Sequence, residues 1–233
     1  MLAVVADGMG GHSDGARAAQ AVVDTAARLV REQAELFTRE PHEALDLLCR
    51  QAQESVTALS RSAHTTLVAL WLYESRAYWI HVGDSRLYLF RGGRRVLRTR
   101  DHSSAQMLME LGEISEAEMA SHPAQNRLYR SLGNNERPKA EIGGAETVPG
   151  DLFVLCSDGV WSYLSDSEFW LSASADDLRK AAAGLVKRAV QRGGARADNA
   201  TLVLIRQAGA LFPDWLRRLR AKPQALVGGE GNG

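Results

Sequence analysis

The stretch "TTLVALWLYESRAYWIHVGDSRLYLFRGGRRVLRT" (Thr65–Thr99) decides the fold. It is a succession of apolar, β-branched and aromatic runs with very short polar breaks, the pattern of strands. "TTLVALWLY" is joined to "AYWIHV" through Glu74-Ser75-Arg76, and "LYLFR" turns at Gly92-Gly93 into "RRVLRT". Connections this short suit hairpins and cannot carry a parallel crossover, so the sheet they build is antiparallel.

Outward from this block the period changes. On the N-terminal side Ala19, Val22, Val23, Ala26, Leu29, Val30 and Phe37 recur at helical spacing, which predicts a helix from Gly15 to Phe37. A second helix is expected from about His42 to Leu59, with Leu45, Leu48, Ala52 and Val56 on one face. Leu2–Ala6 reads as a short strand before them.

On the C-terminal side, Asp101 to Gly133 is a polar helical excursion, with Gly112 as a C-cap and Ser115/Glu118 as a capping box. Strands return at Ala140–Thr147 and in "DLFVLCSDG" (Asp151–Gly159). Helices follow at Ser165–Leu171 and Asp177–Gln191, and then a strand at Asp198–Arg206. Helices and antiparallel strands are segregated, which defines the α+β class. Two sheets packed together and flanked by helices would bury every apolar stripe.

The 233 residues are enough for one sizeable core. With 28 Lys+Arg against 28 Asp+Glu the formal charge is zero, so nothing global points to nucleic acid or an anionic membrane. Cys49 and Cys156 make neither a disulfide framework nor a zinc spacing, and read as buried thiols. No apolar run approaches the roughly 18 residues of a spanning helix, and Leu2–Ala6 is too short for a signal peptide. The expected location is cytoplasmic.

Four aspartates stand where apolar strands meet turns: Asp7 after "LAVVA", Asp101 after "RRVLRT", Asp158 after "LFVLCS", and Asp198 before "ATLVLI". Aspartate is a common turn residue and N-cap, and Asp84 in "GDSR" is assigned that plain role. Asp7 and Asp158 are different, because each is an Asp-Gly step that ends a buried run with no hairpin beyond it. Converging carboxylates repel, and a hard cation removes that cost. An all-oxygen donor set favours magnesium or manganese over zinc or copper. Gly8 leaves its own carbonyl free to approach such an ion.

Five motifs in order, "VADGMGGH" (Val5–His12), "HVGDSRLYLFR" (His81–Arg91), "TRDHS" (Thr99–Ser103), "LCSDGVW" (Leu155–Trp161) and "DNATLVLI" (Asp198–Ile205), together resemble the bacterial branch of the metal-dependent Ser/Thr protein phosphatases, the protein phosphatase 2C (PPM) family. The likeness covers Leu2 to Arg206. It implies a four-layer α-β-β-α sandwich over residues 1–207, with a flap at about 102–134 beside a metal cleft. Residues 208–233 are left as a tail with a short amphipathic helix and a disordered end. That helix either caps the domain's own core or meets a membrane surface or partner.

By this resemblance Asp7 bridges two Mn²⁺ or Mg²⁺ ions, Gly8 ligates one through its carbonyl, and Asp158 and Asp198 complete the second. Asp101 resembles the ligand of a looser third ion, and Asn199 has a supporting role. The implied reaction is hydrolysis of phosphoserine or phosphothreonine in proteins by a metal-bridging hydroxide, opposing a bacterial Ser/Thr kinase, in a monomer with no nucleic acid and no membrane span. The acid that protonates the leaving group is either His12 or a metal-bound water, since Met9 stands where other members place a histidine. Arg127 and Arg130 of the flap either meet an acidic phosphopeptide or form a solvated surface. Family members usually begin with an Arg-bearing strand and an acidic Asn-rich turn. Here Met1 is six residues before Asp7, so both groups and one strand are expected to be missing. A second reading therefore stays open at this stage, a truncated pseudophosphatase that binds phosphoproteins without turnover.

Overall fold

The computed structural model describes residues 1–9, 12–134, 138–173 and 176–207. In chain order the elements are β1 (Leu2–Val5), β2 (Gly8–Met9), α1 (His12–Glu32), α2 (Ala34–Arg39), α3 (Pro41–Thr57), β3 (His64–Thr65), β4 (Leu67–Tyr73), β5 (Arg76–Val82), β6 (Arg86–Arg91) and β7 (Arg94–Arg98). They continue with α4 (Ser104–Glu110), α5 (Glu116–Met119), β8 (Glu141–Glu146), β9 (Leu152–Cys156), α6 (Asp158–Trp161), α7 (Asp166–Ala173), α8 (Leu178–Gly193) and β10 (Leu202–Arg206).

Two antiparallel four-stranded sheets form, in the orders β1-β4-β5-β8 and β10-β9-β6-β7. The expected hairpins are present: Tyr73 pairs with Arg76 and Arg91 with Arg94. Successive side chains of a strand point to opposite faces, and that alternation sorts the apolar runs into three cores. Val68, Leu70, Leu87, Leu89, Phe153 and Leu155 face one another between the sheets. Leu67, Ala69 and Trp71 face outward onto α1–α3, where Val22, Leu29, Phe37, Leu45 and Leu48 are buried. Tyr88, Phe90, Leu152, Val154 and Cys156 face outward onto α6–α8, against Trp161, Phe169 and Leu185. Central strands thus have both faces covered, which is why they read as continuous apolar runs rather than as alternation. The result is the four-layer sandwich.

Local signals also hold. Pro41 opens α3, where its missing N–H costs nothing. Asp177 caps α8 by accepting from the N–H groups of Arg179 and Lys180. The Ser115/Glu118 capping box is formed. Cys49 and Cys156 are buried and are not joined in a disulfide. Among the described residues no helix is long and apolar enough to cross a membrane.

Several expectations are corrected. The single helix expected from Gly15 to Phe37 is two helices meeting at Gln33, whose φ of −122° is not helical. The final strand starts at Leu202, so Asp198 lies in the loop before it. Asp158 begins a short helix, α6, that its Asp-Gly signature did not announce. The expected tail helix lies outside the described residues.

Candidate active site

The carboxylates are gathered at one end of the sandwich by strand pairing. Val5 of β1 pairs with Val68 of β4, and Gly8 of β2 pairs with Thr65 of β3. Both ladders share one register, so Asp7 stands opposite Thr66 in the gap between them. Thr66 N–H donates to the Asp7 carbonyl at 2.9 Å, and Asp7 N–H donates to Thr66 Oγ1 at 2.9 Å. Gly8 then passes close under α1. A Cβ there would lie 1.9 Å from the Gly15 carbonyl oxygen, so only glycine fits.

Asp158 follows β9 as the first residue of α6. The Asp198 loop is tied to this turn by Ser157, whose N–H donates to Thr201 O at 3.1 Å and whose Oγ donates to Asn199 O at 3.2 Å. Asn199 N–H donates to Asp198 Oδ1 at 2.7 Å. Ser157 therefore couples two candidate ligands that lie forty residues apart in sequence.

A cavity of about 120 Å³ opens between these turns, lined by Asp7, Gly8, Met9, Thr66, Asp84, Asp158, Asp198 and Asn199, with Asn126 and Leu128 contributed by the irregular stretch after α5. Three of the expected carboxylates and the Gly8 backbone are thus brought together. Asp84 joins them, against its assignment as a plain turn residue. It is only 5% exposed, and its backbone carbonyl accepts from the Trp161 indole N–H at 2.9 Å. Nothing in "GDSR" distinguishes a turn aspartate facing solvent from one facing a cavity. Ser157 lies within "LCSDGVW" but had no role assigned, and Asn126, Leu128 and Thr66 belong to none of the five motifs.

Asp101 goes elsewhere. Its two carboxylate oxygens accept from Arg86 Nε at 2.8 Å and Nη2 at 2.6 Å, and its side chain is fully buried. The guanidinium carbon of Arg86 lies 3.5 Å from the Trp161 ring centroid. Asp101 is not among the residues that line the cavity. His12 opens α1, but its side chain lies outside the described residues. Of the flap arginines, Arg127 is exposed. Arg130 lies over Tyr129 and reaches His102 Nε2 at 3.2 Å, and neither arginine lines the cavity.

The cavity is electrostatically stressed. Burial, then the charge of Asp158, a hydrogen bond to it and the charge of Asp198 push the Asp7 carboxyl up to about 8. Asp158 is raised by burial and by Asp198. Asp84 is raised well above the carboxylate range by burial and then by Asp158, Asp101 and Asp7. Asp158 Oδ1 is buried with no hydrogen-bond partner. An orphaned acceptor among crowded carboxylates fits a hard divalent cation.

A second cluster, His81, His102 and Glu141, has donor atoms within 4.8 Å of one another. It suits a cation poorly. His102 Nδ1 already accepts from Gly83 N–H at 3.0 Å, which places the ring proton on Nε2. That nitrogen faces Glu141 Oε1 at 3.3 Å and the Arg130 guanidinium at 3.2 Å, so the positive charge there is already supplied.

The fold and this acidic cavity define an α-β-β-α sandwich with a carboxylate site at one end. The sequence profile described as protein phosphatase 2C matches residues 1–189, and the chain belongs to that family. It is similar to a putative protein phosphatase 2C-type of Streptococcus pyogenes serotype M6, 33% identical over 214 residues, covering 88% of this chain and 85% of that protein. The crystal structure of the Mycobacterium tuberculosis serine/threonine phosphatase PstP/Ppp superposes with a TM-score of 0.77 at 30% identity, covering 89% and 88% of the two chains. The catalytic domain of PstP in complex with two manganese ions gives a TM-score of 0.75 at 29% identity, covering 87% and 86%.

Proposed function

We propose that this chain is a metal-dependent protein serine/threonine phosphatase whose Mn²⁺ or Mg²⁺ site is the Asp7 cavity. The observation that carries this reading is the cluster of buried, mutually repelling carboxylates around the unpartnered Asp158 Oδ1. Asp7, the Gly8 carbonyl, Asp158 and Asp198 are the groups that would hold the ions, with Asp84 as a further carboxylate facing the same space. Bound divalent ions supply Lewis-acid activation of water and of the phosphoryl group.

The protein's own part is to bind, orient and enclose. Asp7 is pinned by Thr66, and the Asp158 and Asp198 turns are pinned to each other through Ser157. Asn126 and Leu128 line the cavity beside these turns. No cysteine or serine nucleophile is required, and the Cys156 thiol is raised by burial into an inert form. Phosphorylated Ser/Thr proteins are the proposed substrates, a Ser/Thr kinase the opposing partner, the cytoplasm the site of action and a monomer the working form.

Hydrolysis of an aryl phosphate and of a phosphothreonine peptide, with and without Mn²⁺, tests the reading. Activity is expected to require added Mn²⁺ or Mg²⁺, to vanish with a chelator, and to be lost in Asp7→Asn. Full activity in metal-free buffer would overturn it. Phosphopeptide binding with no phosphate release at any metal concentration would establish the binding-module alternative instead.

A further inference from the structure

We propose that Thr66 is the positioning residue of this site, and that its hydroxyl, braced by Ser85, sets the place of the Asp7–Gly8 step on which a divalent cation depends. The proposal rests on the phosphatase reading and adds to it a residue outside the ligand set.

Crowded carboxylates push one another out of a cavity, so something must hold them in. For Asp7 the hold is on its backbone. Its N–H is taken by Thr66 Oγ1 at 2.9 Å, and its carbonyl is taken by Thr66 N–H at 2.9 Å and Thr65 Oγ1 at 3.0 Å. Thr66 Oγ1 is in turn 2.7 Å from Ser85 Oγ. Thr66 is 1% exposed and Ser85 0%, so no water competes for these bonds.

Both branches of Thr66 are used. The hydroxyl faces Asp7 and Ser85, while the methyl faces Gly83, where an added Cβ would lie 2.7 Å from Thr66 Cγ2. Gly83 also has a φ of +106°, so the turn that carries Asp84 and Ser85 is shaped to seat this one side chain. A β-branched residue clamped on both arms has a single rotamer. Thr66 just precedes β4 of one sheet and Ser85 just precedes β6 of the other, so the hydroxyl pair also spans the sandwich beside the cavity.

The test compares Thr66→Val, which keeps the shape and loses the hydroxyl, with Thr66→Ser, which keeps the hydroxyl, and with Ser85→Ala. Mn²⁺ affinity is measured by isothermal titration calorimetry and by Mn²⁺ electron paramagnetic resonance, with circular dichroism to confirm folding. Removing a group that supports metal ligands typically weakens metal binding by about 10–100-fold, and that loss is expected for Thr66→Val. Thr66→Ser should restore affinity to within about threefold of wild type. At limiting Mn²⁺ the Thr66→Val kcat should fall and recover on raising Mn²⁺, with the KM for aryl phosphate unchanged. A merely structural role predicts no such recovery. Thr66→Val binding Mn²⁺ as tightly as wild type, or Thr66→Ser binding as weakly as Thr66→Val, would overturn the proposal. If Thr66→Val does not fold, Ser85→Ala decides: weakened Mn²⁺ binding supports the proposal and wild-type affinity overturns it. Failure of the wild-type protein to bind Mn²⁺ is a separate result that removes the metal reading itself.

Discussion

Arg86 is buried to 5% exposure, with Asp101 on one edge, the Tyr88 hydroxyl on the other and Trp161 beneath it. Taking one partner from a buried ion pair strands the other charge, at a cost of about 3–5 kcal/mol. Asp101→Asn should therefore lower stability by about that amount in urea unfolding, and a loss below about 1 kcal/mol would mean that Asp101 has another role. At Asp7 the proton is what matters. The ordinary carboxyl value is 3.8, and the folded, metal-free protein holds this proton up to about 8. Between those values the folded state binds a proton that the unfolded state has released, so stability falls as pH rises through the window. Calorimetry in chelator from pH 5 to 8 should show a falling Tm, and Asp7→Asn should flatten that fall. An unchanged slope in the variant would assign the proton elsewhere.

At the scale of elements, the site is made where short segments are forced together. The two-residue strand β2 is wedged between β3 and the first turns of α1, and Gly8 has the Gly15 backbone against it. Gly8→Ala has no flexible side chain to displace, only backbone, so α1 or β2 must move. The expected loss is about 1–3 kcal/mol in denaturant unfolding, together with weaker Mn²⁺ binding. A fully stable Gly8→Ala protein would show that the α1 start gives way freely. In the helical excursion after β7, α4 is capped by Ser103 and α5 by its own box. The excursion's approach to the cavity comes through the irregular stretch holding Asn126 and Leu128.

Taken whole, the sandwich draws the candidate ligands from both sheets. Asp7 follows β1 of one sheet, while Asp158 and Asp198 flank β9 and β10 of the other. A cation bound across that seam binds the folded state alone, and should stabilise it by about 2.7 kcal/mol at a concentration of 100 Kd. For a domain of this size that corresponds to a rise in Tm of roughly 5–10 °C. Thermal scans with Mn²⁺ and with chelator measure it, and Asp7→Asn should abolish the shift. A metal-independent Tm in the wild-type protein would show that the cavity does not take the ion.

The sequence by itself determined the sandwich and most of the carboxylate set. Strand side chains alternate with period two, so burial on both faces of β4, β6 and β9 is written directly in Thr65–Thr99 and Leu152–Cys156. The two Asp-Gly steps ended buried runs without a hairpin, an energetic anomaly visible in one dimension. Only the tertiary structure decided between Asp84 and Asp101. Both follow apolar strands in turn-like contexts, but one faces the cavity and the other is consumed by Arg86. Loop residues have no period, so their direction is set by whatever packs against them. The Thr66–Asp7 and Ser157–Asn199 bonds join residues 59 and 42 positions apart, and contacts at that separation leave no local pattern to read.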